Sequence, residues 1–518
     1  MGNKPRERRI NLVTKGNSYT LDITALTNEG KGIGLVDGFI VFVDGALPGE
    51  KVEAVITLVK KSYAEGIVIN ILEESPLRRK PFCSAYERCG GCTLQHLDYD
   101  AQLDIKTGFV KDCLRRIGKL SGIAVYKTIG MENPFNYRNN IQFSVRSGGN
   151  GPAIGFFSAK SHDIVEGFEC GIQPEIFNDI REFVSNFLIN KGIDTYNEKT
   201  GRGLVRHLIV RTGFTSGEVM VVLVVNGSGF SGSEELAEGL VSNFPVGNES
   251  EKRLASNFRQ GDEFAEGLTL HFSQGDELAE RLAKSFPWVK ELAKGLVSNF
   301  PRIKSVMLNI NTKKSGLKLG DVYVKLYGKS TITDYIGDFR FEISPSSFFQ
   351  VNPVQTEVLY NKVMEYASLN GNETVFDLYC GIGTISLYLS RKAKMVYGVE
   401  EVPEAVKDAT ENAIANNAGN VKFTLGKAEK VIPKMLKQGI KADVVVVDPP
   451  RKGCDEKLLR AIAEMLPKRM VYVSCNPATL ARDLKYLSEH GMKVEKVQPV
   501  DMFPWTVHVE TVVLIEKE

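Results

Sequence analysis

The sequence predicts a multidomain α/β protein: a small N-terminal β-barrel, a central α+β domain and a C-terminal, open, doubly wound domain. Three observations predict it. Between residues 17 and 72, short β-rich runs alternate with glycine turns, the pattern of a small barrel. From residue 338 onward, apolar strand runs alternate with helical ones, as in a largely parallel sheet with helices on both faces. Between them lies a strand-rich stretch that opens with clustered cysteines. At 518 residues the chain exceeds one ordinary core.

The elements follow in order. Residues 1–16 read as a basic tail, with Lys4, Arg6, Arg8, Arg9 and Lys15 against Glu7. Such a tail is either a solvated arm or one that touches RNA. The barrel, residues 17–73, has strand runs at 19–23, 39–43, 51–56 and 64–71, with turns at 28–34 and 46–50. The central domain takes residues 74–337. Its cysteine segment, 81–94, is followed by a helix over 99–120, with Leu103, Val110, Leu114 and Ile117 at helical spacing. That helix is a candidate to pack on the C-terminal domain. Strands are expected at 141–145, 153–157, 208–211 and 219–226.

Residues 234–301 carry a tandem 14-residue helical repeat: Phe244, Phe258, Phe272, Phe286 and Phe300 recur at that spacing. Leu240, Leu254, Leu268, Leu282 and Leu296 stand four residues before each, and Leu236, Phe264, Leu278 and Leu292 four earlier again. Ser250 breaks the pattern in the second unit. Apolar residues at i, i+4 and i+8 make one stripe of a short helix. Pro245, Pro287, Pro301 and turns at Gln260 and Gln274 separate the units. The expectation is a row of short helices burying their stripes against one another. It is either a tolerated insertion or an added RNA or protein contact.

A net charge of +2 excludes a uniformly basic nucleic-acid binder, though not a local patch. No export signal is visible, and the longest apolar run, 219–225, is too short to span a bilayer. The expectation is a cytoplasmic protein with no membrane partner, acting as a monomer. Eight cysteines in such a chain point to metal binding or catalysis rather than a disulfide framework.

In the C-terminal domain, strand 374–378 runs into Tyr379-Cys380-Gly381-Ile382-Gly383-Thr384. Gly381 and Gly383 let the backbone approach a ligand closely. Glu400 ends the next strand, where a carboxylate can accept both ribose hydroxyls. No third glycine follows at the helix start, which departs from the dinucleotide pattern. A nucleoside cofactor without a pyrophosphate, such as S-adenosylmethionine, fits better than NAD.

The apolar run 444–447 ends in Asp448-Pro449-Pro450-Arg451, rigid backbone at the carboxyl edge of the sheet. The same motif serves enzymes that methylate adenine amino groups, so it does not choose the base. Cys475, in Ser474-Cys475-Asn476-Pro477, ends the next strand beside a helix N-terminus, a place expected to favour its thiolate. Carbon 5 of uracil becomes nucleophilic when a thiolate adds to carbon 6. A base must later take the carbon-5 proton, and Glu510, at the start of the last strand, is the candidate.

These segments, with Ser347-Phe348-Phe349-Gln350-Val351-Asn352 and Ala478-Thr479-Leu480-Ala481-Arg482-Asp483, resemble the RNA uridine-C5 methyltransferases of the RumA/RlmD and TrmA type over nearly the whole chain. The resemblance implies a C-terminal Rossmann-like class I methyltransferase, residues 338–518, with Cys475 as nucleophile and Glu510 as proton acceptor. It implies Gln350, Tyr379, Glu400 and Asp448 as S-adenosylmethionine contacts, beside Gly381 and Gly383. The barrel resembles the OB-like TRAM domain, an RNA-binding module. The five-fold repeat departs from the family pattern, where one such helix stands.

Cys83, Cys89 and Cys92, in a loop with Gly90 and Gly91, together with Cys170, offer four thiolates. Their spacing alone does not separate zinc from an iron–sulfur cluster. It is not the closely spaced three-cysteine motif of radical enzymes. By the resemblance these four hold a [4Fe-4S] cluster with a structural role. Cys113, Cys380 and Cys454 read as packing residues. The resemblance favours 23S ribosomal RNA as substrate, because a transfer-RNA enzyme of this type is expected to lack the barrel and the cluster. The alternatives are a transfer-RNA uridine methyltransferase and a non-catalytic RNA-binding assembly factor.

Overall fold

The computed structural model describes residues 13–149, 151–159, 161–226, 270–271, 287–313 and 318–518. Most of the basic tail, and the repeat units before residue 287 apart from 270–271, lie outside the described residues.

The barrel is one six-stranded sheet of β1 (Ser18–Asp22), β2 (Ala25–Leu26), β3 (Gly32–Val36), β4 (Phe39–Asp44), β5 (Lys51–Val59) and β6 (Tyr63–Glu73), in the order β1-β5-β6-β4-β3-β2. Alternate residues point inward, so Val52, Ala54 and Ile56 of β5 meet Val41 and Val43 of β4 in a separate small core. Leu26 and Leu47 leave that core and pack with Leu94, Leu97 and Ala101, joining the barrel to the cysteine segment and the following helix.

That helix, α1 (Tyr99–Arg116), is capped by Asp98, whose side chain accepts the Asp100 and Ala101 N–H groups. It ends before the expected residue 120, because Lys119 takes a positive φ of 56°. Its Val110 and Leu114 enter the core of the C-terminal domain. The short β7 (Ala124–Val125) also joins the C-terminal sheet, parallel to its β23 (Met492–Val500).

The central sheet takes β8 (Asn140–Gly148), β9 (Gly151–Phe157), β10 (Ile164–Val165), β11 (Val205–Thr212), β12 (Val219–Val225), β13 (Leu270–His271), β14 (Ile303–Ile310) and β15 (Val322–Gly328). α2 (Glu175–Asn190) and α3 (Pro287–Asn299) cover one face through Phe177, Val184, Leu292 and Leu296. The other face, through Ile209, Met220, Val222 and Met307, meets the C-terminal domain. Burial on both faces explains the unbroken apolar run of β12. α3 is the last repeat unit: its Leu stripe lies on the sheet, and Phe300 meets Phe183 edge-on at 5.8 Å. In the third unit the helical expectation fails at Leu270–His271, where the chain pairs with β15 as a strand. The unpaired backbone edge of β15 offers hydrogen bonds there that a helix would leave unused.

A hairpin of β16 (Ile332–Ile336) and β17 (Phe339–Ile343) leads through residues 344–352 into α4 (Pro353–Ala367). Then follow β18 (Thr374–Leu378), α5 (Thr384–Ser390), β19 (Met395–Glu400), α6 (Pro403–Ala415), β20 (Val421–Leu425), α7 (Ala428–Lys437), β21 (Val444–Val447), α8 (Glu456–Met465), β22 (Arg469–Ser474), α9 (Pro477–Ser488), β23 and β24 (Glu510–Lys517). The sheet order is β20-β19-β18-β21-β22-β24-β23-β7. β18 to β22 are parallel, and β24 inserts antiparallel between β22 and β23. The strand order reverses direction between β18 and β21, and the carboxyl ends there open a crevice. Among the described residues no helix is long and apolar enough to cross a membrane.

Candidate active site

At that switch point lies a cleft of about 690 Å³. One half is built from the ends of β18 and β19. Tyr379 turns the chain in the left-handed region, φ 66°, and donates its N–H to Val399 O at 2.9 Å. Holding a non-glycine residue there costs strain, a common mark of ligand-binding turns. Gly381, φ 54°, donates its N–H to Glu400 Oε2 at 3.0 Å, while Glu400 Oε1 accepts from Glu401 and Val402 at 2.8 and 2.9 Å. Three backbone donors thus fix the Glu400 carboxylate at the cleft wall, with lone pairs left for hydroxyl donors. Gly383 stands behind the wall as the α5 N-cap, φ 82°, where an added Cβ would lie 2.7 Å from the Phe423 ring. The positive φ and that close approach by themselves require glycine there.

The other half comes from β21, β22 and β24. Ser474 pairs with Thr511 across the antiparallel β22–β24 ladder, so the next register position sets Cys475 opposite Glu510. Both line the cleft with Asp448, Arg451 and His508. Burial pushes Asp448 up from the ordinary carboxylate range, and burial plus the Asp448 charge pushes Glu510 up. The thiolate expectation for Cys475 does not hold. Burial, followed by the negative charges of Glu510 and Asp448, pushes its thiol up to about 11, with Arg451 opposing. At the start of α9, Asn476 Oδ1 takes the Ala478 N–H at 3.0 Å.

The loops that carry these groups are tied to each other. Asn476 Nδ2 and Thr479 Oγ1 donate to Arg451 O at 3.1 and 3.2 Å. Asp483, fully buried on α9, accepts from Cys454 N, Tyr472 OH and Arg482 Nε at 2.8, 2.7 and 2.7 Å. The Asp448-Pro449-Pro450 loop therefore cannot move without α9. Gln350, in the loop before α4, also lines the cleft, with Phe348 70% exposed nearby. That loop is held from the central domain. Buried Arg211 donates to Ser344 O, Pro345 O and Ser347 O at 2.7, 3.2 and 2.9 Å, and Asn139 Nδ2 donates to Gln350 O at 2.9 Å.

Of the residues named from sequence, Gln350, Tyr379, Gly381, Glu400, Asp448, Cys475 and Glu510 share the cleft. Cys83, Cys89, Cys92 and Cys170 line a separate cavity of about 300 Å³. Among the described residues no group of three or more Cys, His, Asp or Glu side chains is placed to hold a metal ion, so a ready-made zinc or iron–sulfur site is not there. The thiols are still near neighbours: burial raises Cys92, and the charges of Cys170, Cys89 and Cys83 raise it further. Cys380 and Cys454 are buried packing residues as expected, and Cys113 is partly buried.

Residues 306–518 match the family described as tRNA (Uracil-5-)-methyltransferase, and residues 12–69 match the TRAM domain. An RNA methyltransferase of Caldanaerobacter subterraneus subsp. tengcongensis is 47% identical, covering 98% of this chain and 100% of its own. The chain belongs to the RNA uracil-C5 methyltransferase family. An RNA methyltransferase of Clostridium acetobutylicum is 45% identical, with 98% of each chain covered. The crystal structure of the Pyrococcus abyssi tRNA (uracil-54, C5)-methyltransferase with S-adenosyl-L-homocysteine has a TM-score of 0.67 at 26% identity, covering 96% of this chain and 100% of its own. This RNA methyltransferase is an S-adenosylmethionine-dependent enzyme. Sequence reasoning passed over Arg451, which stands in the Asp448-Pro449-Pro450-Arg451 segment, and His508, two residues before Glu510, and missed Arg211 and Asp483 as supports. Arg451 and Asp483 had a signal, since Arg451 stands three residues after Asp448 and Asp483 closes the family-like segment that starts at Ala478. Arg211 had none, because its partners are backbone carbonyls more than 130 positions away.

Proposed function

We propose that the enzyme methylates carbon 5 of a uridine in 23S ribosomal RNA through a covalent adduct with Cys475. The observation that carries the reading is the strand register that sets Cys475 against Glu510 in a cleft shared with Glu400 and Asp448. Glu400 would accept the ribose hydroxyls, and Gln350, Tyr379, Gly381 and Asp448 would form the rest of the cofactor wall, with Gly383 shaping the turn. S-adenosylmethionine, when bound, supplies the methyl group. Once its proton is lost to solvent, the Cys475 sulfur would add to carbon 6, the electron pair would move to carbon 5, and carbon 5 would take the methyl group as the methyl–sulfur bond breaks and S-adenosylhomocysteine leaves. Glu510 then accepts the carbon-5 proton. The electrons restore the 5,6 double bond as the carbon–sulfur bond breaks, and the thiolate returns. Arg451 is the cation that opposes the negative charge on Cys475 and Glu510.

In this reading residues 17–73 bind RNA as a TRAM-like barrel, 74–337 support the cleft and carry the cysteine cavity, and 338–518 perform the transfer in a cytoplasmic monomer. A [4Fe-4S] cluster on Cys83, Cys89, Cys92 and Cys170 belongs to this reading by the family resemblance alone, since the thiols as they stand are not grouped to hold a metal. Gln142 Nε2, a donor with no protein partner, lies at the same cavity wall as Arg138 and Lys318. Those groups suit an anionic cluster bound by thiolates.

The transfer-RNA reading is carried by the archaeal neighbour. Its match leaves only 4% of this chain uncovered, less than the barrel occupies, so the barrel does not separate the two substrates. What supports 23S RNA is the cysteine loop, by its resemblance to the ribosomal branch. The test is transfer of a labelled methyl group to unmodified 23S fragments and to transfer RNA, with the product mapped. Methylation of transfer RNA alone would overturn the substrate. Glu510→Gln is expected to accumulate methylated RNA still bound to Cys475, seen as a slow band on a denaturing gel. Its absence would overturn the role of Glu510.

A further inference from the structure

The residues between β23 and β24, 501–509, form a strap without regular structure that ends on Glu510 and carries Phe503 and His508 into the cleft. A segment with no ladder of its own must be held by other groups. Its centre is Trp505. The Trp505 carbonyl accepts the N–H groups of Thr93 and Leu94, both at 3.0 Å, and Val507 N donates to Thr93 Oγ1 at 3.1 Å. The indole N–H donates to Pro134 O at 2.8 Å, and Trp505 N donates to Gln102 Oε1 at 3.2 Å. Its ring stands 5.2 Å from Phe82 and 5.4 Å from both Phe135 and Tyr99. Cys92 and Cys170 pack into the same apolar cluster. Trp505 also holds φ 67°, a conformation that a bulky residue keeps only when its surroundings impose it.

Phe82 precedes Cys83, and Thr93 follows Cys92. The cysteine loop therefore grips Trp505 on its ring and on its carbonyl. We propose that Trp505 is a positioning residue that transmits the order of the cysteine loop to the strap and so aims Glu510. The proposal rests on the reading of Glu510 as proton acceptor. The Glu400 half of the cleft is fixed by its own strand ends, so the coupling acts on the base and not on cofactor affinity.

The chain has two tryptophans, Trp288 and Trp505, so Trp288→Phe leaves Trp505 as the sole reporter. In that background Trp505→Phe is expected to lower kcat at least about tenfold, since sub-ångström to 1 Å misplacement of a reacting group is costly. S-adenosylmethionine affinity is expected to stay unchanged, and the covalent methylated RNA adduct to accumulate as with Glu510→Gln. Thr93→Val, a milder change, is expected to give the same split with a smaller fall. Cys92→Ser, with Trp505 in place, is expected to shift its emission and lower kcat together. A fall in kcat without adduct, or in step with cofactor affinity, overturns the proposal, as does an emission shift at constant kcat. If Glu510→Gln itself traps no adduct, the reading of Glu510 fails and the proposal with it. If Glu510→Gln traps adduct and neither Trp505→Phe nor Thr93→Val does, only the proposal fails.

Discussion

The Glu400 side and the Glu510 side of the cleft are held in opposite ways. Glu400 is fixed by three N–H groups within 20 residues along the chain. The strap leading to Glu510 is fixed by groups some 400 residues away. Lys106 Nζ lies 2.5 Å from Asp501 Oδ1, and neither side chain is exposed, while Tyr99 OH donates to Asp501 Oδ2 at 2.8 Å. A ribose-binding carboxylate can therefore be built by a local turn. The proposed base has to be aimed by the barrel-side half of the chain, so assembly of the whole molecule is a condition for its geometry.

The largest expected effect breaks the chemistry on one side alone. Cys475→Ala should lower methyl transfer by about four orders of magnitude or more, while equilibrium dialysis finds cofactor affinity unchanged. Lys106→Met should come next. It leaves the Asp501 carboxylate buried without its cation, at a cost of about 3–5 kcal/mol, measured by urea unfolding, with kcat falling further than cofactor affinity. Arg211→Met removes three hydrogen bonds from a buried cation to the loop bearing Gln350, a loss of about 1.5–3 kcal/mol in stability, with KM for cofactor or RNA raised. Glu400→Gln should weaken cofactor binding about tenfold, near the low end for a charged hydrogen bond, with kcat at saturation retained. An equal loss in both parameters would erase the contrast between the two sides.

The smallest effect is in pH. Because burial and Asp448 raise Glu510, its base form is lost as pH falls through that raised value, and the single-turnover rate should fall with it. The folded state holds that proton more tightly than the unfolded chain, so the stability it contributes is lost as pH rises through the same range. With its thiol pushed up to about 11, Cys475 in the RNA-free enzyme should react slowly with iodoacetamide at neutral pH and faster as pH rises. Arg451→Gln should slow it further.

Much of the catalytic half was legible because its chemistry follows strand ends in chain order. Glycines 381 and 383, Glu400, Asp448 and Cys475 each end a β-run or begin a helix, and a parallel sheet gathers all such ends at one edge. The protonation state of Cys475 was not legible. It depends on burial of the thiol and on Glu510 and Asp448 sharing its cleft, and a helix-terminus argument contains neither the burial nor the charges. The repeat was legible as a pattern, but the strand at Leu270–His271 answers to the free edge of β15, which no local periodicity encodes.

The sequence by itself determined the barrel, the doubly wound sheet, the candidate reacting residues and their likeness to uracil-C5 methyltransferases, because periodicity and motif spacing are local properties of a chain. Only the tertiary structure decided that Arg211 braces the Gln350 loop, that Lys106 and Asp501 neutralise each other out of water, and that Trp505 joins the cysteine loop to the strap before Glu510. These are contacts between backbone groups and buried charges distant in sequence. Their energies depend on burial and on hydrogen-bond geometry, both of which exist only once the chain has closed.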